Sequence, residues 1–348
     1  MTLHASYAKR CLDALNQHYV ELDTARLVVA FYCLSSIDVL DQLGQRIKEK
    51  DKDQWKNWIW DQQIPTDYGT GFRPGPSVAV TLGETNHSVK FHPYDLPHTI
   101  MTFSAIISLA ILGDELSRLD IGGIRKFIGG VQQPDGSFWT IPNFGESDLR
   151  STYSVFALCS LLDCWDAIDA DQALTFIRQC RTYEGGYGQR PHTEAQGGTT
   201  FCALASLALC PRSPGLSENE RKATTRWLVE RQVGGFQGRT EKAADACYSF
   251  WCGASLKILN ADEFADKEAN ASFLLTCQSK FGGFGKCPGE YPDPYHTYMS
   301  FAALSLLPSQ SSETESLGVL RPIDPILNAT LKTAEHLRRA VHSIKRTL

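Results

Sequence analysis

The sequence lacks an excess of positive charge, a long hydrophobic run and a secretory signal pattern. Its 34 Lys and Arg residues face 39 Asp and Glu residues, a net charge of -5, so no overall basic field indicates nucleic-acid binding. No apolar run approaches the ~20 residues that a helix needs to cross a bilayer. We therefore expect a cytoplasmic protein that does not bind nucleic acid and is not an integral membrane protein.

Cysteine, glycine and proline occur in numbers that exclude further classes of protein. The 11 cysteines are scattered, lie mostly inside apolar runs and form no C-x-x-C pair, which indicates core residues rather than a disulfide framework. The 27 glycines and 16 prolines are too few for a low-complexity chain. The length of 348 residues allows two ordinary domains or one large repetitive domain.

The strongest signal is an internal repeat of about 49 residues. A glycine-rich turn followed by an aromatic residue recurs four times, with aromatic residues 49, 49 and 48 positions apart. These aromatic residues are Phe138, Tyr187, Phe236 and Phe284. An apolar run keeps the same period, and its five copies begin at Thr102, Thr152, Thr200, Cys247 and Thr297. Two features in phase predict a repeated structural unit.

Each repeat predicts a pair of helices. The apolar runs are hydrophobic or small on nearly all sides, which indicates inner helices, whereas segments before the glycines, such as 218–232, have a polar face and indicate outer helices. Arg26 to Leu40 fits an earlier inner helix. We expect an all-α fold in which residues 1–348 form a single α/α barrel, or toroid. It has about six helical hairpins, glycine-rich loops at one end and a long insertion at about 64–97. An open solenoid is the alternative.

One junction between a glycine-rich loop and an inner helix differs from the others. Cys247 replaces the recurring Thr there, Asp245 precedes it, and His296 lies just before the next equivalent helix. Asp, Cys and His are all zinc donors, and three protein ligands leave the open position of a catalytic zinc site. The alternative is a buried thiol beside an N-cap Asp, with Arg239 and Lys242 as solvated loop charges.

The string Arg-x2-Lys-x2-Asp-x-Cys-Tyr, which runs from Arg239 to Tyr248, completes a specific combination with the downstream His and the spaced glycine-rich loops. Over nearly the whole chain this combination resembles the β subunits of protein prenyltransferases. The resemblance implies that Asp245, Cys247 and His296 are zinc ligands. It also implies that Arg239, Lys242 and Tyr248 hold an isoprenoid diphosphate, and that Arg150 lies near the backbone of the acceptor peptide.

Three positions discriminate among members of the family. Val28 stands where farnesyltransferases carry a Trp that shortens the lipid pocket, so it leaves room for a fourth isoprene unit, and we place it near the floor of the funnel. Lys286 stands where farnesyltransferases carry an Asp that helps to bind magnesium. His98 matches a His that type I geranylgeranyl enzymes place near the acceptor's last residue, although a helix-capping role is equally compatible. Val28 and Lys286 favour the type I enzymes.

One position departs from the family pattern. The family reads E-x-H-G-G before an inner helix, whereas Gln196 replaces the His here and can donate an amide N–H but carry no charge. We expect diphosphate binding to depend more on Arg239, Lys242 and Lys286, or on His192 from four residues upstream of Gln196. Candidates for an apolar lipid pocket on the inner helices are Tyr153, Phe201, Phe250 and Trp251, with ordinary core packing as the alternative.

The resemblance implies a catalytic β subunit that transfers a geranylgeranyl group from its diphosphate to the cysteine of a C-terminal CaaX motif, with X often Leu. One zinc is expected per subunit, magnesium is not, and Tyr248 and Lys286 are expected to stabilise charge on the departing diphosphate. Expected partners are an obligate α subunit and CaaX proteins such as Rho-type small GTPases. The alternatives are a farnesyltransferase or Rab geranylgeranyltransferase β subunit, or an α/α scaffold that binds peptides or lipids without catalysis.

Overall fold

The computed structural model describes residues 2–15, 17–76, 95–307 and 318–347, and helices dominate them. The α-helices in these ranges are α1 (Thr2–Asp13), α2 (Arg26–Val39), α3 (Leu43–Arg46), α4 (Glu49–Trp60), α5 (Thr99–Ile111), α6 (Ile121–Gly130), α7 (Leu149–Leu162), α8 (Ala170–Gln179), α9 (Gly197–Leu209), α10 (Glu218–Val229), α11 (Ala246–Ile258), α12 (Lys267–Thr276), α13 (Pro294–Ser305) and α14 (Leu331–Thr347). Short 3₁₀ helices occupy Gln17–Ala25, Trp165–Ala167 and Asp262–Phe264.

The strands in the described ranges form small antiparallel hairpins and no larger sheet. Their pairs are β1 (Gln63–Thr66) with β2 (Gly69–Phe72), β3 (Trp139–Ile141) with β4 (Phe144–Ser147), β5 (Gln232–Val233) with β6 (Gly235–Phe236), and β7 (Ile323–Asp324) with β8 (Ala329–Thr330). The β1–β2 hairpin begins the insertion predicted at about 64–97. Residues 77–94 of that insertion lie outside the described residues.

Six inner helices form a closed ring in the order α2, α5, α7, α9, α11 and α13, because α13 packs against α2. Their composition explains their position: every residue of α5 except Ile100 is buried, whereas α10 on the outside buries only Thr224, Trp227 and Leu228. α1 completes the outer layer beside the last glycine-rich loop, where His4 Nδ1 accepts from the Gly283 N–H at 2.9 Å. The predicted α/α toroid of six hairpins is confirmed, and the ring excludes an open solenoid.

Hydrogen bonds explain why the two sequence features stay in phase. The N–H of the buried aromatic residue after the glycine turn donates to the recurring Thr hydroxyl, at 2.9 Å from Tyr187 to Thr200 and from Phe284 to Thr297. Phe72 donates to Thr102 in the same way, which makes it an aromatic residue of the repeat that the sequence analysis missed. The first glycine of the turn has positive φ, as at Gly136 (88°), and therefore favours a residue without a side chain.

The N-termini of the inner helices lie at one end of the ring. The first residues of these helices donate to carbonyls of the loop that leads to the next inner helix, at 2.8 Å from Gly197 to Gly238 and from Ala246 to Lys286. The opposite end is covered by the C-terminal segment: the Arg321 N–H donates to Val39 at the end of α2. No helix in the described part of the chain is both long and apolar enough to span a bilayer.

Candidate functional site

The first turns of α11 and α13 bring together the predicted zinc ligands. One donor atom from each of Asp245, Cys247 and His296 lies within 4.8 Å of the others. Asp245 is the N-cap of α11 and accepts from the Cys247 N–H at 3.1 Å, which fixes one carboxylate oxygen. His296 Nε2 lies 3.2 Å from Asp245 Oδ1. The repeat therefore places ligands that are 49 residues apart in sequence on adjacent helix ends.

A fourth residue, Asp293, orients the histidine. It is the N-cap of α13, where its Oδ1 accepts from the His296 N–H at 2.8 Å and its Oδ2 lies 2.5 Å from His296 Nδ1. A carboxylate on the second ring nitrogen is the usual support of a metal-binding histidine, because it leaves Nε2 for the metal. The sequence analysis did not select Asp293, and the signal that could have found it is its position three residues before His296.

The charges at this cluster fit a divalent cation. Burial lowers the pKa of His296, but hydrogen bonds to Asp245 and Asp293 outweigh burial and raise that pKa to about 11. Burial raises the pKa of the Cys247 thiol to about 11, although the hydrogen bond with His296 opposes this shift. The two carboxylates beside His296 therefore favour a positive charge at this position. A zinc ion would provide that charge, which Cys247 also needs as a thiolate.

The predicted diphosphate-binding residues lie around the same helix end. Arg239 pairs with Glu194 at 2.9 Å, and both side chains are exposed. Lys242 is exposed in the same loop, and Lys286 Nζ lies 4.0 Å from Asp245 Oδ2. Burial, with the nearby Cys247 and Asp245, raises the pKa of Tyr248 to about 12, so its hydroxyl stays protonated at neutral pH and can donate. The structure thus brings Lys286 to the metal cluster and Arg239 close to Tyr248.

Two glycines hold the Tyr248 ring in place. A Cβ at Gly238 would lie 2.3 Å from ring carbons of Tyr248, and one at Gly197 would lie 2.9 Å from another ring carbon. The Gly197 N–H donates to the Gly238 carbonyl at 2.8 Å, and this bond joins the two loops on either side of the Tyr248 side chain. Gln196, directly before Gly197, is the N-cap of α9 but forms no side-chain capping bond.

The two predicted peptide-binding residues, Arg150 and His98, lie near each other. Arg150 is half-exposed and pairs with Asp148, the N-cap of α7, at 2.7 Å and with Glu146 at 2.5 Å. His98 is the N-cap of α5, and its Nδ1 accepts from the Ile100 N–H at 3.2 Å. Burial, together with the Arg150 charge, lowers the pKa of His98 to about 4, so the ring is neutral at physiological pH. The capping role considered for His98 is present in the structure.

An aromatic belt lines the inside of the ring, with one member from each inner helix. Its members are Tyr32 (α2), Phe103 (α5), Tyr153 (α7), Phe201 (α9), Trp251 (α11) and Tyr295 (α13). Ring centroids of successive members lie 4.9 to 5.7 Å apart from Phe103 to Trp251. The belt continues through a 2.9 Å hydrogen bond from Trp251 Nε1 to the Tyr295 hydroxyl, and the Tyr295 and Tyr32 centroids are 5.2 Å apart.

The predicted lipid-pocket residues divide into two groups by exposure. Trp251 keeps partly exposed surface and Tyr153 is 8% exposed, so both reach the inside of the ring. Phe201 and Phe250 have no exposed surface, and the Phe250 centroid lies 5.5 Å from Phe201 and 5.3 Å from Trp251. Phe201 is therefore a member of the belt without exposed surface, and Phe250, which is outside the belt, packs against Phe201 and Trp251 as a core residue does.

Val28 is half-buried in the first turn of α2, one turn before Tyr32 on the same helix face. The N-termini of the inner helices form the end that carries the metal cluster, so the expectation that Val28 lies near the floor is wrong. The error arose because the position of a residue in a pocket was inferred without the direction of its helix. Since α2 and α9 are opposite members of the ring, Val28 lies across the interior from Gln196.

Comparison with known proteins agrees with this geometry. Residues 1–329 match the family described as the prenyltransferase alpha-alpha toroid domain. The geranylgeranyl transferase type-1 subunit beta of Arabidopsis thaliana is 36% identical over 349 aligned positions, which cover 95% of this chain and 89% of the plant protein. The subunit of the same name from Dictyostelium discoideum is 35% identical, with 86% of this chain and 89% of that protein covered.

A solved structure extends the similarity to three dimensions. The chain matches Candida albicans protein geranylgeranyltransferase-I complexed with GGPP with a TM-score of 0.85 and 27% identity, and the match covers 98% of each chain. The predicted likeness to prenyltransferase β subunits, those of the type I geranylgeranyl enzymes in particular, is confirmed, as is the prediction of a prenyltransferase. The family match over residues 1–329 and the identities above show that this chain belongs to the prenyltransferase α/α toroid family.

Proposed function

We propose that this chain is the catalytic β subunit of a zinc-dependent protein geranylgeranyltransferase type I. The observation that carries the proposal is the cluster of Asp245, Cys247 and His296 at the open end of a ring with an aromatic interior. The relatives reported above bear the name of this enzyme, and the solved relative is complexed with GGPP. The acceptor is the cysteine of a C-terminal CaaX motif, as in Rho-type small GTPases, and an α subunit completes the heterodimer.

The donor set supports zinc as the resident metal. Asp245, Cys247 and His296 supply one oxygen, one sulfur and one nitrogen, and Asp293 holds the imidazole with Nε2 toward the other two donors. When bound, zinc would coordinate the acceptor thiol and lower its pKa, so that a thiolate is available at neutral pH. The chain's own contribution is to hold three ligands and leave one position free for that thiol.

The residues around Tyr248 supply the second half of the chemistry. Negative charge grows on the diphosphate as its bond to the lipid C1 breaks, and groups fixed in advance around that charge lower the barrier. Arg239 and Lys242 contribute cations from one loop, and Gln196 adds an amide. The Tyr248 hydroxyl donates from a side chain that lies against Gly197 and Gly238. Arg239 must leave Glu194 to reach the diphosphate, and both side chains are exposed enough to move.

The test of the proposal is a product assay. The chain is co-expressed with its cognate α subunit, and the heterodimer is offered farnesyl and geranylgeranyl diphosphate together with Cys-a-a-X peptides that end in Leu, Phe, Ser or Met. We expect mass spectra to show geranylgeranyl attached to cysteine, with the peptide ending in Leu preferred. Preferred farnesyl transfer to peptides ending in Ser or Met would assign the chain to the farnesyl enzymes. Binding of lipid or peptide without any product would indicate a scaffold.

Lys286 gives a separate prediction about magnesium. Its ammonium lies 4.0 Å from Asp245, close enough to the cluster to meet the diphosphate and to supply charge that magnesium provides in the farnesyl enzymes. We expect turnover to be nearly insensitive to millimolar magnesium. Lys286→Asp should lower kcat by about 10- to 100-fold without magnesium, the usual range for a lost hydrogen bond to a charged group, and added magnesium should restore part of the rate.

Lys280→Asp is the matched control, because Lys280 is exposed in the same repeat and its ammonium lies over the Phe281 ring. It makes the same change of charge away from the metal cluster and should leave both rate and magnesium response unchanged. A magnesium requirement in the unsubstituted heterodimer would contradict the role given to Lys286.

A further inference from the structure

The turn of the C-terminal hairpin enters the ring of inner helices. Residues 325–328, here called the hairpin tip, connect β7 and β8. The Tyr153 hydroxyl donates to the Ile326 carbonyl at 2.8 Å, and the Tyr298 hydroxyl donates to the Asn328 carbonyl at 2.6 Å. Tyr153 belongs to α7 and Tyr298 to α13, which are opposite members of the ring. A four-residue segment bonded to both lies across the interior.

The hairpin tip is held firmly from the far end of the ring. The hydroxyls of Thr330 and Thr333 donate to Asp38 Oδ2 at 2.6 and 2.7 Å, and Asp38 at the end of α2 is only 2% exposed. Within the turn, Asp324 Oδ1 accepts from the N–H groups of Ile326 and Leu327 at 2.9 and 3.2 Å. The bonds to Asp38 tie the segment after the tip to α2, and the bonds to Asp324 fix the turn itself, so the tip is a fixed part of the ring.

Part of the tip keeps exposed surface. Leu327 and Asn328 are 2% and 6% exposed, whereas Ile326 is only partly buried and packs against the main core. The carbonyls of Ile326 and Asn328 accept hydrogen bonds from tyrosine hydroxyls. Burial of these carbonyls under an apolar ligand therefore leaves neither of them without a hydrogen bond. Pro325 and Ile326 are the residues of the tip that keep part of their surface exposed, and Ile326 is the one whose carbonyl is bonded to Tyr153 of the aromatic belt.

We propose that the hairpin tip is the floor of the isoprenoid pocket and that Ile326 determines which lipid length fits. The inference rests on the function proposed above. A lipid whose diphosphate lies at the N-terminal end of the ring enters along the aromatic belt and ends toward the tip. An apolar side chain at that point removes the terminal isoprene unit from water and stops a longer chain. Ile326 is thus a specificity-determining residue, distinct from the residues that hold the metal or the diphosphate.

The proposal is tested by changing the Ile326 side chain, because Tyr153 bonds to the backbone carbonyl and that bond survives substitution. Ile326→Trp should raise the floor and lower kcat/KM for geranylgeranyl relative to farnesyl diphosphate by about 5- to 150-fold, the range typical of overpacking. Ile326→Ala should lower the floor and improve use of a 25-carbon polyprenyl diphosphate relative to the 20-carbon donor by about 10-fold or more. Affinities for the 15-, 20- and 25-carbon diphosphates are measured by calorimetry on the same heterodimers.

Val319→Trp is the control, because Val319 is 78% exposed in the same C-terminal segment. This substitution also introduces an indole, but outside the ring. Donor ratios and affinity ratios that stay within twofold of the unsubstituted protein in both Ile326 variants overturn the proposal. If the Ile326→Trp variant alone melts at a much lower temperature, the donor and affinity ratios of the Ile326→Ala variant decide whether the proposal holds. A heterodimer that transfers no lipid contradicts the proposed function, while its affinity ratios still test the floor, and a heterodimer that binds none of the three diphosphates contradicts both.

Discussion

Cys247→Ala is expected to remove most of the zinc from the heterodimer and to abolish nearly all transferase activity. Outer-shell residues of metal sites already change affinity by about 10- to 100-fold, and a lost ligand should cost more. The fold should survive, because Asp245 caps α11 through the backbone N–H of Cys247 and not through its sulfur. Zinc is measured by elemental analysis of the purified complex, helicity and melting by circular dichroism, and turnover with saturating donor and peptide.

Cys252→Ala is the matched control for this experiment. Cys252 lies five positions further along α11, is fully buried and takes no part in the metal cluster. Each substitution removes one thiol from α11, so a loss of stability that both variants share reports packing alone. One zinc per complex and near-normal turnover in the Cys247 variant would show that the cluster is not the metal site.

The repeat made much of the fold predictable from sequence. Apolar runs in phase with glycine turns identify the inner helices, and the hydrogen bond from Tyr187 to Thr200 shows the physical link behind that phase. Cys247 stood out because it breaks this pattern and carries a metal donor instead of a hydroxyl. The donor types left a metal site and a buried thiol as alternatives, the family resemblance favoured the metal site, and the structure brings the three donors within 4.8 Å of one another.

Features that the repeat pattern does not single out escaped prediction. Asp293 resembles other capping residues, since Asp148 and Asp245 also cap inner helices, and only the 2.5 Å approach to His296 Nδ1 distinguishes it. The hairpin tip around Ile326 joins strands of two residues each, too short for a periodic signal. The depth of Val28 in the ring depends on helix direction, which a pattern of apolar residues does not define.

The corrected position of Val28 changes how its substitution should act. Val28 lies on the wall across the ring from the N-terminus of α9. If a lipid occupies the ring as proposed, its chain crosses toward Val28 after it leaves the diphosphate site. Val28→Trp adds an indole at that wall, and overpacking of this kind costs about 1 to 3 kcal/mol, or roughly 5- to 150-fold. We expect kcat/KM for geranylgeranyl diphosphate to fall by this factor, while farnesyl transfer is spared or improved by a new aromatic contact.

Ala30→Trp separates this steric effect from general damage to α2. Ala30 lines a groove of about 640 Å³ on the outer side of α2, together with Val29, Trp55 and Trp58, so an indole there fills space outside the ring. That variant should keep the unsubstituted donor ratio, whatever its melting temperature. If Val28→Trp also keeps that ratio and lowers both activities together with the melting temperature, Val28 is a core residue. The limit on lipid length then lies with other residues, and the Ile326 variants show whether the floor sets it.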